Sequence, residues 1–435
     1  MELVIEGNVF FEGKVQKLAL GIEDGLIVEI KKTMKGGRVL DFGDKLVFPG
    51  AIDAHVHFRD PGQNEKEDFL SGTTAAACGG VTTVMDMPNT RPPTVWATDV
   101  HDKLSLAGKK ACVDVGLFAG LAGKGRPEKL APLVLGYKLY MGSSTGDLLF
   151  DDYSGLKDLL APLAATGLPV AVHAEHEEML RSMKVVPRDT ITYNDARPPE
   201  CEVEAVRTFL SSVGDCRGHI CHISTRGALE AVGAGQKDAQ EVKKATCEVT
   251  PHHLLLDARE SAALGTKGKV NPPLRRMAER EALWSAFLSG GIDMLASDHA
   301  PHLEEDKDTR FEDAPAGVPG VETMVPLMML LVKRCRLEPA RLAEVACQRP
   351  AEVYSIHAGR IAKGMPAHLA VYDLRNVKEI RGKNLNSKCA WTPFQGREAI
   401  FPKAVFLRGV QIVDEGEPIV SPGSGKLLPS VKKAQ

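Results

Sequence analysis

A chain of 435 residues with 43% hydrophobic content and a mean hydropathy of −0.12 can bury a large core, which excludes a disordered or fibrous protein. Its 54 basic and 57 acidic residues leave a formal charge of −3, too balanced to steer nucleic acid or an anionic membrane surface, so an anionic substrate must be held by local residues. No stretch approaches the roughly 18 uninterrupted apolar residues of a membrane span, the N-terminus lacks the basic start and apolar run of a signal peptide, and nine scattered cysteines without CxxC pairs read as reduced thiols, so the expectation is a soluble cytoplasmic protein.

Residues 1–47 read as short strands of period-two alternation (Leu3, Val4, Ile5; Leu18, Ala19, Leu20; Leu26, Ile27, Val28), broken by turn signals such as Glu23-Asp24-Gly25. From 48 to 363 short apolar runs at 81–84, 113–117, 136–140, 170–173, 220–223 and 294–296 alternate with stretches of helical character. Repeated strand and helix units predict an α/β unit with a parallel sheet covered by helices, closed or open. Strand character returns between 364 and 425, at 369–371, 404–407 and 410–412. The two β-rich ends are expected to combine into one small domain beside the 48–363 unit. The closing SPGSGKLLPSVKKAQ is rich in Pro, Gly, Ser and Lys, and 426–435 is expected to be a flexible tail.

Taken in chain order, the chemistry begins with His55 and His57 in DAHVHF, which a strand turns to one side so that the pair can grip a metal. Asp53 shares their parity and could orient one imidazole. Alone the HxH pair is as compatible with coincidence as with a site. His173, ending LPVAVHAE, and His222, in GHICHIS, also follow apolar runs, and parallel strands ending at one face would bring all four together as metal ligands. Lys138, in LGYKLYMG, is flanked by apolar residues. Snorkelling or a carboxylate partner accounts for it; alternatively, a buried neutral lysine could add carbon dioxide and bridge two cations as a carbamate.

Asp298, in MLASDHAPH, stands where a carboxylate could ligate a metal and take a proton from metal-activated water, or simply cap a helix. His299 and His302 follow at once, which weakens the capping alternative. Arg59 and Asn89 offer donors for a substrate carboxylate beside the histidine strands, with a surface ion pair and a turn residue as the plainer readings. Asn271, in KVNPPLR, could present its amide to a substrate; Arg275 is equally open to a structural role. The Pro- and Gly-punctuated stretch 301–320 reads as a long loop over the site, either a solvated loop or a lid.

Together the strings DAHVHFRDPG, EDFLSGTTAAACGGVTTVMDMPNT, YKLYMG, VHAE, CHIS, CEVTPHHL, NPPLR and SDHAPH resemble the dihydroorotase family of amidohydrolases, in order from about 48 to 364. The resemblance implies a (β/α)8 TIM-like barrel over 48–363 with a small β-sandwich domain from 1–47 plus 364–425. It implies metal ligation by His55, His57, His173, His222 and Asp298, two Zn2+ per subunit, and an N6-carboxylated Lys138 as bridge. Arg59, Asn89 and His302 would bind the substrate carboxylate, Asn271 the ring, and Asp298 would move the proton. The implied reaction is reversible cyclisation of N-carbamoyl-L-aspartate to L-dihydroorotate in pyrimidine biosynthesis.

Some members of the family carry aspartate at the Lys138 position, so this chain falls in the lysine branch. Cys221 and Glu248 lie beside the site strings and could touch a further metal, packing and a strand-end carboxylate being the plainer account. Allantoinases, hydantoinases and dihydropyrimidinases are expected to differ around FRDPG, MPNT, NPPLR and DHAPH. A non-catalytic scaffold partner of a pyrimidine-pathway enzyme is the reading from another class. Partners are therefore a small-molecule substrate, with no nucleic acid and no membrane; a homo-oligomer and association with another pyrimidine-pathway enzyme are both compatible with the sequence.

Overall fold

The computed structural model describes residues 1–123, 125–144, 146–234 and 245–429. The chain opens with β1 (Leu3–Phe11), β2 (Lys14–Glu23), β3 (Leu26–Lys31) and β4 (Arg38–Pro49). It continues through β5 (Ala51–Val56), β6 (Val81–Asp86), β7 (Asp114–Gly120), β8 (Gly136–Tyr140), β9 (Pro169–His173), β10 (Arg217–Ile220), β11 (Ala245–Val249) and β12 (Met294–Leu295), with helical segments between most of them. It finishes with β13 (Leu369–Tyr372), a ribbon of β14 (Lys378–Glu379) and β15 (Glu398–Ala399), and then β16 (Ala404–Leu407), β17 (Val410–Asp414) and β18 (Glu417–Pro418).

Strands β5 to β12 pair in sequence order and all in parallel. The two ends meet where the His57 N–H donates to the His299 carbonyl at 2.8 Å, closing a TIM-type barrel. Every residue of β5 to β9 is buried, because barrel core covers one face and helices the other. Continuous apolar runs rather than alternation are the sequence trace of such strands. β11 (ATCEV) is interrupted by Thr246 and Glu248 and escapes that pattern.

Local chemistry starts the helices. Asp68 accepts the Ser71 N–H while the Ser71 hydroxyl accepts the Asp68 N–H, a reciprocal cap that begins the helix Phe69–Cys78. Gly72 on that helix presses on the Phe58 ring, where a Cβ would come within 2.3 Å of it.

The remaining major strands form one mixed sheet of eight, ordered β18-β17-β16-β13-β4-β1-β2-β3. Residues 46–49 of β4 pair antiparallel with 369–372 of β13, which joins the two ends of the chain. Ile5, Leu20 and Val47 share one apolar cluster with Leu369, Val371 and Phe406. The expected sandwich is thus a single sheet folded over its own apolar face.

The segment expected to be a flexible tail divides in two. The Val115 N–H donates to the Lys426 carbonyl at 2.9 Å and the Leu428 N–H donates to the Val115 carbonyl at 2.8 Å, so its start runs beside β7. Residues 430–435 lie outside the described residues. No described helix is long and apolar enough to cross a membrane, and all nine cysteines are free thiols.

Candidate functional site

Five of the eight barrel strands carry the predicted residues to one place. His55 lies near the end of β5 and His57 one residue past it; Lys138 lies on β8, His173 closes β9, and His222 and Asp298 follow β10 and β12. These six line one tight cavity of about 30 Å³ together with Arg59, Asn89, Tyr140 and Asn271. Arg59, His222 and Asp298 adopt left-handed backbone, with φ of 61°, 34° and 46°. That region costs an L-residue roughly 1–2 kcal/mol, and such strain collects where a fold must aim side chains at a site.

Donor atoms face one another across this cavity. Asp298 Oδ1 lies 3.1 Å from His57 Nε2 and 3.4 Å from His55 Nε2, three atoms close enough to hold one cation. On the far side His173 Nδ1 stands 3.1 Å from His222 Nε2. Burial pushes the His57 imidazole down to about 3 and also lowers His173 and His222, so these rings are neutral, the form a metal requires. Burial opposes ionisation of Asp298, yet the facing imidazoles of His55 and His57 hold its carboxyl well below the usual range. Lys138, fully buried, has Cys221 Sγ 2.9 Å from Nζ and the Tyr140 ring 5.2 Å away, and it makes no ion pair with a carboxylate among the described residues. Neutral imidazoles, an ionised carboxylate and a lysine without a counter-charge suit divalent cations.

Each ring nitrogen that turns away from the cavity is accounted for, with one exception. His55 Nδ1 meets Glu248 Oε1 at 2.5 Å, and the other Glu248 oxygen takes His219 Nε2 at 3.0 Å. His57 Nδ1 meets Asn89 Oδ1 at 2.6 Å, and His173 Nε2 meets Glu175 Oε2 at 3.0 Å, with Arg197 behind. Such partners choose the tautomer and aim the opposite nitrogen inward. His222 Nδ1 is the exception: it is buried without a partner among the described residues. Glu248→Gln is expected to weaken metal retention about ten- to a hundredfold, measured by competition with a chelator; retention like that of the parent protein would remove Glu248 from this orienting role.

Several expectations change on contact with the geometry. Asp53 turns its carboxylate to the backbone N–H groups of His55 and Ser297, at 3.2 and 3.0 Å, rather than to an imidazole, and so ties β5 to the segment after β12. His299 accepts the Gly320 N–H and pairs with Glu67, away from the cavity. His302 stands beside Arg59, its Nε2 3.3 Å from Nη2 and 3.1 Å from the Ala316 carbonyl oxygen, with Lys66 Nζ 3.5 Å from Nδ1. Asn89 lines the cavity but commits its side-chain oxygen to His57. Tyr193 donates to Asn271 Oδ1 at 2.6 Å. Arg275 bonds to Ser224 and the Arg197 carbonyl, a structural post. Glu248, His219 and Glu175 were missed as orienting groups, although Glu175 falls two residues after His173 in VHAE and so carries its strand parity.

Arg59 supplies the positive end of the cavity. It is 2% exposed, its Nε donates to the Pro301 carbonyl, and its Nη1 is buried with no partner among the described residues. Burial disfavours the guanidinium charge, a cost an arriving anion would offset. The 301–320 segment covers this end, Ala316 and Gly317 forming part of the wall. Two buried ammonium groups bind its backbone: Lys307 Nζ donates to the Pro315 carbonyl at 2.6 Å, and Lys269 Nζ to those of Phe311 and Glu312 at 2.7 and 3.0 Å. Gly317 has φ of 136°, and a Cβ there would stand 2.6 Å from the Ala300 carbonyl oxygen.

A closed parallel barrel with histidines, a lysine and an aspartate gathered at its strand ends is the architecture of a metal-dependent hydrolase, and the chain belongs to the amidohydrolase family, which matches residues 46–409. It is 38% identical over 443 aligned positions to the dihydroorotase of Methanosarcina acetivorans, covering 97% of this chain and 94% of that one. Similarity to the dihydroorotase of Thermoplasma acidophilum is 35% over 436 positions, covering 100% of this chain and 99% of that one. Among solved structures, the L-hydantoinase from Arthrobacter aurescens superposes with a TM-score of 0.93 at 27% identity, covering 99% of this chain and 100% of the other. A D-hydantoinase from Thermus sp. gives 0.89 at 27%, covering 98% and 99%.

Proposed function

We propose that this chain is a dihydroorotase, interconverting N-carbamoyl-L-aspartate and L-dihydroorotate at a binuclear zinc site bridged by N6-carboxylated Lys138. Similarity to dihydroorotases over nearly the whole chain supports the reaction. The observation that selects the substrate is Arg59, a buried guanidinium on the cavity wall whose Nη1 has no partner among the described residues. Hydantoin-like rings without the carboxylate would leave that donor stranded, at a cost of roughly 1–3 kcal/mol or more.

His55, His57, His173, His222 and Asp298 would hold the cations, with Lys138 between them. Bound there, zinc would polarise the scissile carbonyl and make a water acidic enough to ionise near neutral pH. The protein's own part is positioning and proton transfer. Arg59 takes the substrate carboxylate, Asn271 the ring, and Asn89 keeps His57 in its working tautomer. In hydrolysis a water oxygen bonds to the ring amide carbon, the carbon–nitrogen bond breaks, and Asp298 moves the water proton to the leaving nitrogen. In ring closure Asp298 starts protonated, the ureido nitrogen displaces the carboxylate oxygen, and water departs.

Residues 1–47 with 364–425 are read as one supporting unit and 48–363 as the catalytic one. The free cysteines fit a cytoplasmic setting.

The direct test is turnover of carbamoyl aspartate, dihydroorotate, hydantoin and allantoin by metal-quantified protein. Activity on the first two only is expected; activity on the last two alone overturns the substrate choice. Arg59→Met is expected to raise KM for dihydroorotate at least about tenfold, as loss of a charged hydrogen bond predicts, and an unchanged KM would remove Arg59 from substrate recognition.

A further inference from the structure

We propose that the Tyr140 hydroxyl is a second donor to the substrate carboxylate, beside Arg59, and that it sharpens the preference for carboxylated rings. This rests on the dihydroorotase reading and adds a residue to it. Tyr140 closes β8 two positions after Lys138, and strand alternation turns both side chains to the cavity. The residue is 5% exposed and lines the cavity, and its hydroxyl is buried without a hydrogen-bond partner among the described residues. Arg59 Nη1, in the lining of the same cavity, is in the same condition.

Both groups line the one cavity, and a phenol, which ordinarily keeps its proton at neutral pH, can donate there as the guanidinium does. The carboxylates that act on these two groups are already engaged: Asp298 by His57, Asp86 by Lys103 and the Phe58 N–H, Glu67 by His299 and the Ser387 hydroxyl. The acceptor for both donors must then arrive with the ligand. A carboxylate suits them, since its two oxygens offer about four acceptor positions. His302, expected from the sequence to share this task, stands 3.3 Å from Arg59 Nη2.

Tyr140→Phe deletes the hydroxyl and keeps the ring that packs over Lys138 Nζ and beside His173. KM for dihydroorotate is expected to rise about tenfold, the scale of one hydrogen bond to a charged group, with the loss carried by KM more than by kcat. Inhibition by orotate should weaken by the same factor while inhibition by dihydrouracil, which lacks the carboxylate, holds. Unchanged KM and orotate inhibition in a folded, metal-loaded variant overturn the proposal, and so does a loss confined to kcat, which would put the hydroxyl at the reacting carbonyl. Should Tyr140→Phe fail to fold, difluorotyrosine at position 140, nearly the same size and a stronger donor, is expected to lower the same KM; a rise overturns the assignment. A protein active only on hydantoin or allantoin fails the dihydroorotase reading itself, whereas a dihydroorotase indifferent to Tyr140→Phe fails this inference alone.

Discussion

Asp298→Asn is expected to retain its metal and its fold while losing turnover in both directions by about a thousandfold, within the range for removing a general acid–base. The side chains are nearly isosteric, so contacts of Oδ1 with His57 and His55 have a counterpart in the amide oxygen. The backbone tolerates the exchange as well: Asp298 sits at φ of 46°, and asparagine is among the few residues that enter this region readily. What disappears is the capacity to accept a proton, because an amide does not titrate here. In the parent protein that capacity is present at neutral pH, the facing imidazoles holding the carboxyl ionised despite its burial. Steady-state rates for ring opening and closure, with metal content and melting on the same preparation, decide the matter. A fully metallated variant within about tenfold of the parent rate, below the usual acid–base contribution, would take Asp298 out of proton transfer.

Lys138→Ala is expected to lose at least one equivalent of metal and most activity, with partial recovery on adding a short carboxylic acid. The physical reason lies in the surroundings of Nζ. An ammonium that is fully buried, with a thiol and an aromatic ring for company and no carboxylate pair among the described residues, is costly to keep charged. Addition of carbon dioxide turns that cation into an anionic oxygen donor, which the histidines on both sides could share through bound metal. Lys138→Met separates the alternatives by stability. If the lysine is an ammonium, a methionine of similar volume should match or raise the melting temperature; if it is a carbamate bridging metal, the melting temperature should fall and metal be lost. An unmodified Lys138 in a metal-loaded, active protein would refute the bridge, and native mass spectrometry reads that state directly.

The barrel strands stand out in the sequence because burial on both faces leaves runs without alternation, as at 81–84, 136–140 and 170–173. β11 does not, since Glu248 inside it serves a histidine on another strand. The positions of His173, His222 and Asp298 are legible for a related reason: each follows or ends an apolar run, and parallel strands deliver such residues to one rim; His55 and His57 stand out as an alternating pair and Lys138 as a charge inside an apolar run. Their orienting partners are another matter. Glu248 reaches His55 across 193 positions of sequence, and no local period signals a pairing made by strands that are distant along the chain.

The surroundings of His302 are likewise set by remote contacts. The path of 301–320 is fixed by hydrogen bonds from Lys269 and Lys307 to its carbonyls, and that path places the ring 3.3 Å from Arg59 Nη2. Residue type and position along the strands, which follow from pleat and burial alone, determined the barrel and which side chains gather at its rim. Barrel closure and the course of one loop, which depend on contacts between remote segments, decided which partners those rings take and which buried donors, Arg59 Nη1 and the Tyr140 hydroxyl, have none among the described residues.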